Sequence, residues 1–232
     1  MSSTRGHALS IDVSRILNSL PEPVISDQTP TLVLTYGLPG SGKSTFCRRV
    51  AAETGVIVLE SDALMRLLFT QPTHEPAESK RLFAALWQAA RVLLQAGASV
   101  IVDATNLKPA DRQPAFELAE QTGATLLLLR FEAPLSLVEQ RLTRRLTEPN
   151  PTDNSTAGIE VYRLMRETAV PLRDPHWTID TSDFEATEAA LRAVITALRG
   201  AKPPRDTEIS NRSLVSTAVR PDVGTRTGGT VS

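Results

Sequence analysis

The chain holds little of what several kinds of protein require. It has one cysteine, Cys47, among 232 residues, which excludes an internal disulfide and fits a reducing, cytoplasmic setting. On a helical stretch Cys47 is expected to be a small packing residue. The three histidines, His7, His74 and His176, stand far apart without metal-ligand spacing, so zinc chemistry is not expected. No segment approaches the roughly 18 uninterrupted apolar residues of a membrane span. Met1 to Gly6 leads into no long apolar run of signal-peptide type, and a soluble protein with no membrane partner is expected. The net charge is −1, from 25 basic and 26 acidic residues, so bulk charge does not attract nucleic acid and only a local basic groove would. Aromatics make up 4% of the chain. Among them Trp87 is a candidate base-stacking platform, yet its helical spacing with Phe83, Leu86, Ala90 and Leu94 places it in a core stripe.

Glycine, by contrast, is concentrated in one place. Gly37-Leu38-Pro39-Gly40-Ser41-Gly42-Lys43-Ser44 is a complete phosphate-binding loop of the form G-x-x-x-x-G-K-[ST]. It follows the apolar run Thr31–Tyr36, read as a buried strand, and precedes a helical stretch that begins with Thr45. Gly37, Gly40 and Gly42 let the backbone approach a polyphosphate, so that successive N–H groups and the helix N-terminus point at the anion. Lys43 is placed to reach the β and γ phosphates, and the Ser44 hydroxyl to ligate Mg²⁺. The cofactors expected are therefore ATP and Mg²⁺.

With 41% hydrophobic residues the chain can bury one substantial α/β core. Strand candidates fall at 31–36, 56–59, 99–102, 125–129 and 177–180, with helices at 43–53, 62–69, 76–96, 109–122, 134–146, 158–167 and 185–199. Pro114 is expected to kink its helix or mark a late start. The alternation predicts an α/β P-loop NTPase fold of the kinase-like type, a central parallel five-stranded sheet with helices on both faces and a helical lid. Residues 1–29 read as an N-terminal extension and linker with one short amphipathic candidate, Leu9 to Leu20. Residues 30–200 read as the P-loop domain, and 201–232 as a disordered tail rich in Pro, Gly, Ser, Thr and Arg.

Three clusters fall at strand ends, where open parallel sheets place their ligands. In Glu60-Ser-Asp-Ala-Leu-Met-Arg66, Asp62 either caps the next helix or accepts a proton from an attacking hydroxyl; beside a phosphate loop it is read as the catalytic carboxylate. In Val100-Ile-Val-Asp-Ala-Thr-Asn106, Asp103 is placed to hold Mg²⁺ or its waters, with Thr105 and Asn106 as polar contacts and Arg112 one turn beyond. On the helix at 134–146, Arg141, Arg144 and Arg145 share a face, while Leu135, Val138, Leu142 and Leu146 form the buried stripe. The polar connection 147–154 that follows has the composition of a mobile lid. These arginines either complement the helix dipole or close on ATP, and spacing does not say which of them does so.

With these residues in view, the chain resembles the P-loop kinases related to the 5′-kinase domain of polynucleotide kinases, a family with many bacterial members. The resemblance rests on G-L-P-G-S-G-K-S-T, the E-S-D cluster, V-I-V-D-A-T-N-L-K-P-A-D-R, the arginine-bearing helix and I-D-T-S, and covers about residues 31–199. It implies transfer of the γ-phosphate of MgATP to a hydroxyl acceptor. Asp62 would be the base, Lys43, Arg141 and Arg145 would be catalytic, and residues 37–45 with Arg144 would hold ATP. It also implies a nucleic-acid 5′ end as acceptor, with a nucleoside, sugar or antibiotic hydroxyl as the enzymatic rival and a non-catalytic ATP-binding module as the alternative of another class. The family places an acceptor-binding arginine three residues after the base. Here Met65 holds that position and Arg66 lies one further on, which leaves the acceptor open; Arg66, Thr105, Asn106 and Arg112 are the candidate acceptor contacts.

Overall fold

The structure is a computed structural model and describes residues 2–148 and 153–200. The tail at 201–232, and residues 149–152 of the connection read as a lid, lie outside the described residues. Five parallel strands form one sheet in the order β2-β3-β1-β4-β5: β1 Thr31–Tyr36, β2 Ile57–Glu60, β3 Val100–Asp103, β4 Thr125–Glu132 and β5 Trp177–Asp180. β1 and β3 read as near-continuous apolar runs because both of their faces are covered.

Each face has its own apolar layer. On one, α2 (Lys43–Thr54) and α8 (Phe184–Leu198) pack Phe46, Cys47, Val50, Leu191 and Val194 against Val33, Ile101 and Leu129. On the other, α3 (Ser61–Leu68), α4 (Pro76–Gln95) and α5 (Pro109–Thr122) cover Leu32, Leu34, Leu59 and Val102. The helix after β1 thus covers the face opposite to the one covered by the helix after β3. The crevice between the ends of these neighbouring strands is the place where open α/β sheets take ligands. α6 (Leu135–Thr147) and α7 (Ile159–Thr168) form a hairpin that meets the phosphate loop through Leu38, Val138, Leu142 and Tyr162.

Two local readings change. α5 begins at Pro109 and runs on through Pro114, so Pro114 does not mark its start. The stripe expected on α6 is buried only at Val138 and Leu142, while Leu135 and Leu146 are exposed, because α7 covers only the middle of the helix. Trp87 packs against the core as its spacing implied.

The N-terminal segment is longer and better anchored than its composition indicated. α1 (Ser2–Ser19) lies on α3 and α4 with Ile16 fully buried. The carboxylate of Asp12, 1% exposed, takes both arms of Arg81 at 2.6 and 2.8 Å. The connection to β1 is also held, by a bridge between Ile25 and Ala98.

Candidate active site

The phosphate loop turns back between β1 and α2 with Gly40 and Gly42 at φ +76° and +90°, values that L side chains rarely adopt. A Cβ at Gly42 would also lie 3.0 Å from the Thr181 methyl, and one at Gly37 would lie 2.9 Å from the Phe131 carbonyl oxygen. Lys43 opens α2 and is buried, its Nζ donating to the Leu38 carbonyl at 3.0 Å. Burial pulls the Lys43 pKa down, and the carboxylates of Asp103 and Asp62 pull it back up. Three separate elements therefore converge on one ammonium.

Asp103, 2% exposed, ends β3 beside the loop. Burial raises its pKa against the opposing attraction of Lys43 and the Ser44 hydroxyl. Its Oδ2 has no hydrogen-bond partner among the described residues, an unusual state for a buried carboxylate oxygen. Asp62 stands in the first turn of α3. The cap position falls on Glu60, with no side-chain capping bond, so Asp62 is not spent as a cap. Its charge reaches Lys43, Asp103 and Glu60.

The three arginines of α6 have different surroundings. Arg141 donates to the Gly40 carbonyl (3.1 Å), the Thr181 hydroxyl (2.8 Å) and the Thr181 carbonyl (2.8 Å), tying the loop to the turn after β5. Arg145 pairs with Asp153 at 2.7 Å and donates to the Ala157 carbonyl, and its charge is felt at Lys43. Arg144 projects into solvent and pairs with Glu148 four residues on. Only Arg145 combines a charge near Lys43 with a partner in the segment that follows α6.

The residues read as acceptor contacts divide in the same way. Thr105 gives its carbonyl to the Gly37 N–H. Asn106, 3% exposed and at φ +47°, donates its amide to the Thr35 carbonyl at 2.8 Å. Arg112, also 3% exposed, donates to the Asn106 carbonyl, lies 3.5 Å from Asp174 and stacks over Tyr36. Asn106 and Arg112 thus frame the corner after β3 from inside, the Asn106 amide and Arg112 Nη1 engaged, while Arg112 Nε and Asn106 Oδ1 have no hydrogen-bond partner among the described residues. Met65 is buried in the core, while Arg66 faces out and approaches Asn154 Oδ1 at 3.5 Å.

Four residues of the site were given no role from the sequence. Thr35, fully buried, donates to the Ala104 carbonyl at 2.7 Å and accepts from its N–H, fixing the end of β3 on which Asp103 sits. The Thr181 hydroxyl donates to the Ser41 carbonyl beneath the loop. Glu60 is the register partner of Asp103, and Asn154 donates to Glu60 Oε2 at 3.1 Å. Thr35 had one signal, a polar residue inside an apolar strand; Glu60 and Thr181 stood within the E-S-D and I-D-T-S motifs without a role of their own, and Asn154 had none.

A cavity of about 450 Å³ lies behind the loop, lined by Leu38, Ser41, Phe131 and Tyr162. Lys43, Asp62 and Asp103 do not line it. At that centre, Ser44 and the unpartnered Asp103 oxygen are hard oxygen donors of the kind Mg²⁺ accepts when phosphates and waters supply the rest of the shell. Among the described residues there is no group of three or more His, Cys, Asp or Glu that could hold a metal without such help. No helix among them is long and apolar enough to cross a membrane.

Sheet order, loop and polar centre define a P-loop fold of the kinase-like type. The AAA domain family, AAA_33, matches residues 32–172, and the chain belongs to it. It is similar to an uncharacterized protein of Mycobacterium tuberculosis, at 34% identity over 129 residues, or 50% of this chain and 26% of that protein. The chain thus spans about a quarter of the length of that relative. Among solved structures it resembles Kti12 of Chaetomium thermophilum in complex with ADP-AlF3, with TM-score 0.58 and 20% identity over 75% of this chain and 100% of the other. The APS kinase of Mycobacterium tuberculosis in complex with AMPPNP and APS is similar at TM-score 0.56 and 21% identity, over 75% of this chain and 99% of the other. At these identities the likeness is one of fold.

Proposed function

We propose that the chain is an ATP-dependent phosphotransferase that moves the γ-phosphate of MgATP to an acceptor hydroxyl. The observation that carries this reading is the convergence of Lys43, Asp62 and Asp103, from three elements, on the mouth of the phosphate loop. Lys43 and the loop amides hold the β and γ phosphates in line for attack. Asp62, uncommitted as a cap, orients the acceptor hydroxyl and takes its proton as oxygen bonds to the γ phosphorus. Arg145 adds positive charge over the transferring group on leaving Asp153, while Arg141 keeps the loop in shape from below. Mg²⁺, held by Ser44 and through Asp103, would neutralise phosphate charge.

The test is transfer from γ-labelled ATP in the full chain. Lys43→Ala is expected to abolish transfer, and Asp62→Ala to reduce it by about 10² to 10⁴-fold, both with unchanged far-UV circular dichroism. Full activity in Asp62→Ala removes the base assignment, and nucleotide binding without transfer to any acceptor favours a regulatory module. A nucleic-acid 5′ end, the acceptor implied by resemblance, is one arm of that assay. A small-molecule hydroxyl is the other, and the surroundings of Glu60 favour it.

A further inference from the structure

Resting on the kinase reading, we infer that the acceptor is a small uncharged polyol of about one ring, bound through a vicinal diol in a cleft between Glu60 and Arg48. The cleft measures about 310 Å³ and opens at the free edge of β2. That volume is at the low end for ligand pockets, enough for a monosaccharide or nucleoside and too little for several nucleotides. Its walls include Ser19 and Leu20 at the end of α1, Arg48 of α2, and Ala63 and Leu67 of α3. α1 lies outside the segment that matches the family, so this chain completes the cleft with its own N-terminal helix.

Lys43, Asp62 and Asp103 do not themselves line the cleft, and three observations set it beside them. Glu60 is paired in register with Asp103 on the neighbouring strand. Arg48 follows Ser44 by one turn on α2 and so lies on the same side of that helix. Asn154 bridges Glu60 and Arg66, closing the rim from the segment after α6.

The chemistry of the walls selects the ligand. Arg48 Nη1 lies 3.6 Å from Glu60 Oε2, and this covered donor has no hydrogen-bond partner among the described residues. A pair at that spacing suits adjacent hydroxyls, one accepting from the guanidinium and one donating to the carboxylate. Leu20, Ala63 and Leu67 offer an apolar wall to the C–H face of a ring. Against a polynucleotide stand the three carboxylates Glu60, Asp62 and Asp103, which repel a phosphodiester backbone. In the transfer step the hydroxyl oxygen bonds to the γ phosphorus, and the bond from that phosphorus to the β–γ bridging oxygen breaks. ADP leaves, and the proton passes to Asp62.

The full chain is to be assayed with γ-labelled ATP against glucose, myo-inositol, adenosine, their deoxy counterparts lacking one diol hydroxyl, and a 5′-hydroxyl oligonucleotide. MgATP binding is measured alongside by calorimetry. Label in a polyol or nucleoside is expected, with at least a tenfold loss of kcat/KM for the deoxy counterpart; the sugar and nucleoside arms separate the two sources of the diol. Leu20→Trp, which fills the cleft from α1, is expected to raise the acceptor KM at least tenfold. Should that variant unfold, Glu60→Gln replaces it, with the same rise expected. Label in the oligonucleotide, equal use of diol and deoxy acceptors, or label only in free phosphate overturns the inference while MgATP binding stands. Absence of MgATP binding removes the kinase reading as well.

Discussion

Asp103 meets two demands that oppose each other. A carboxylate aimed at a metal-phosphate centre must keep an oxygen free, and that oxygen is buried without a hydrogen-bond partner among the described residues. Burial outweighs Lys43 and Ser44 and raises the Asp103 pKa, so the folded chain favours the protonated form more than the unfolded chain does. The stability this group adds is present below its unfolded value and is lost as pH rises through the raised folded value. Asp103→Asn is therefore expected to stabilise the unliganded chain at pH 7 by about 1 kcal/mol, or roughly 2–4 °C in Tm. The gain should vanish as pH falls into the carboxylate range; thermal melts from pH 4 to 8 check it, and a lower Tm at pH 7 refutes it. Gly42→Ala should act in the opposite sense, because it places a Cβ at φ +90° and 3.0 Å from Thr181. A loss of about 1–2 kcal/mol in chemical denaturation is expected, together with loss of nucleotide binding. Lys43, Asp62 and Asp103 were legible in the sequence because residue type and position after a strand name their chemistry. Thr35 and Thr181 were not, because a threonine becomes a brace only through the carbonyls it meets.

At the scale of elements, α6 shows where periodicity stops informing. Its spacing puts Arg141, Arg144 and Arg145 on one side, yet the first meets the loop and the turn after β5, the second solvent and the third Asp153. Arg141→Ala leaves the Gly40 and Thr181 carbonyls without their donor, and is expected to cost about 2 kcal/mol and lower Tm by roughly 4–8 °C. Arg144→Ala loses an exposed i,i+4 pair and should change stability by less than about 0.5 kcal/mol. Equal effects of the two substitutions in urea titrations would contradict this division. α3 carries the same lesson: its pattern shows an amphipathic helix, but only packing reveals Met65 in the core and Arg66 at the rim. Sequence boundaries of these elements agree with the structure to within about one residue, except for β4, which runs to Glu132, and α1, read from Leu9 but beginning at Ser2.

Across the whole molecule, α1 is the element whose role depends most on context. Its sequence is only weakly patterned, and it is held by Ile16 in the core, by Asp12 on Arg81, and by Arg15 on the Leu67 carbonyl at the end of α3. We propose that α1 and the sheet unfold as one unit. Ile16→Ala is then expected to cost about 2–5 kcal/mol, with a single calorimetric transition moved down in temperature; a separate early transition for α1 would contradict it. The strand-helix alternation and the phosphate loop were determined by the sequence alone, because a periodic apolar run and eight consecutive loop residues act locally. Tertiary structure alone decided which arginine lies near Lys43, that Glu60 stands beside Asp103, and that α1 closes the cleft at β2. These are meetings of residues distant along the chain, set by strand register and by which helix faces find apolar cover.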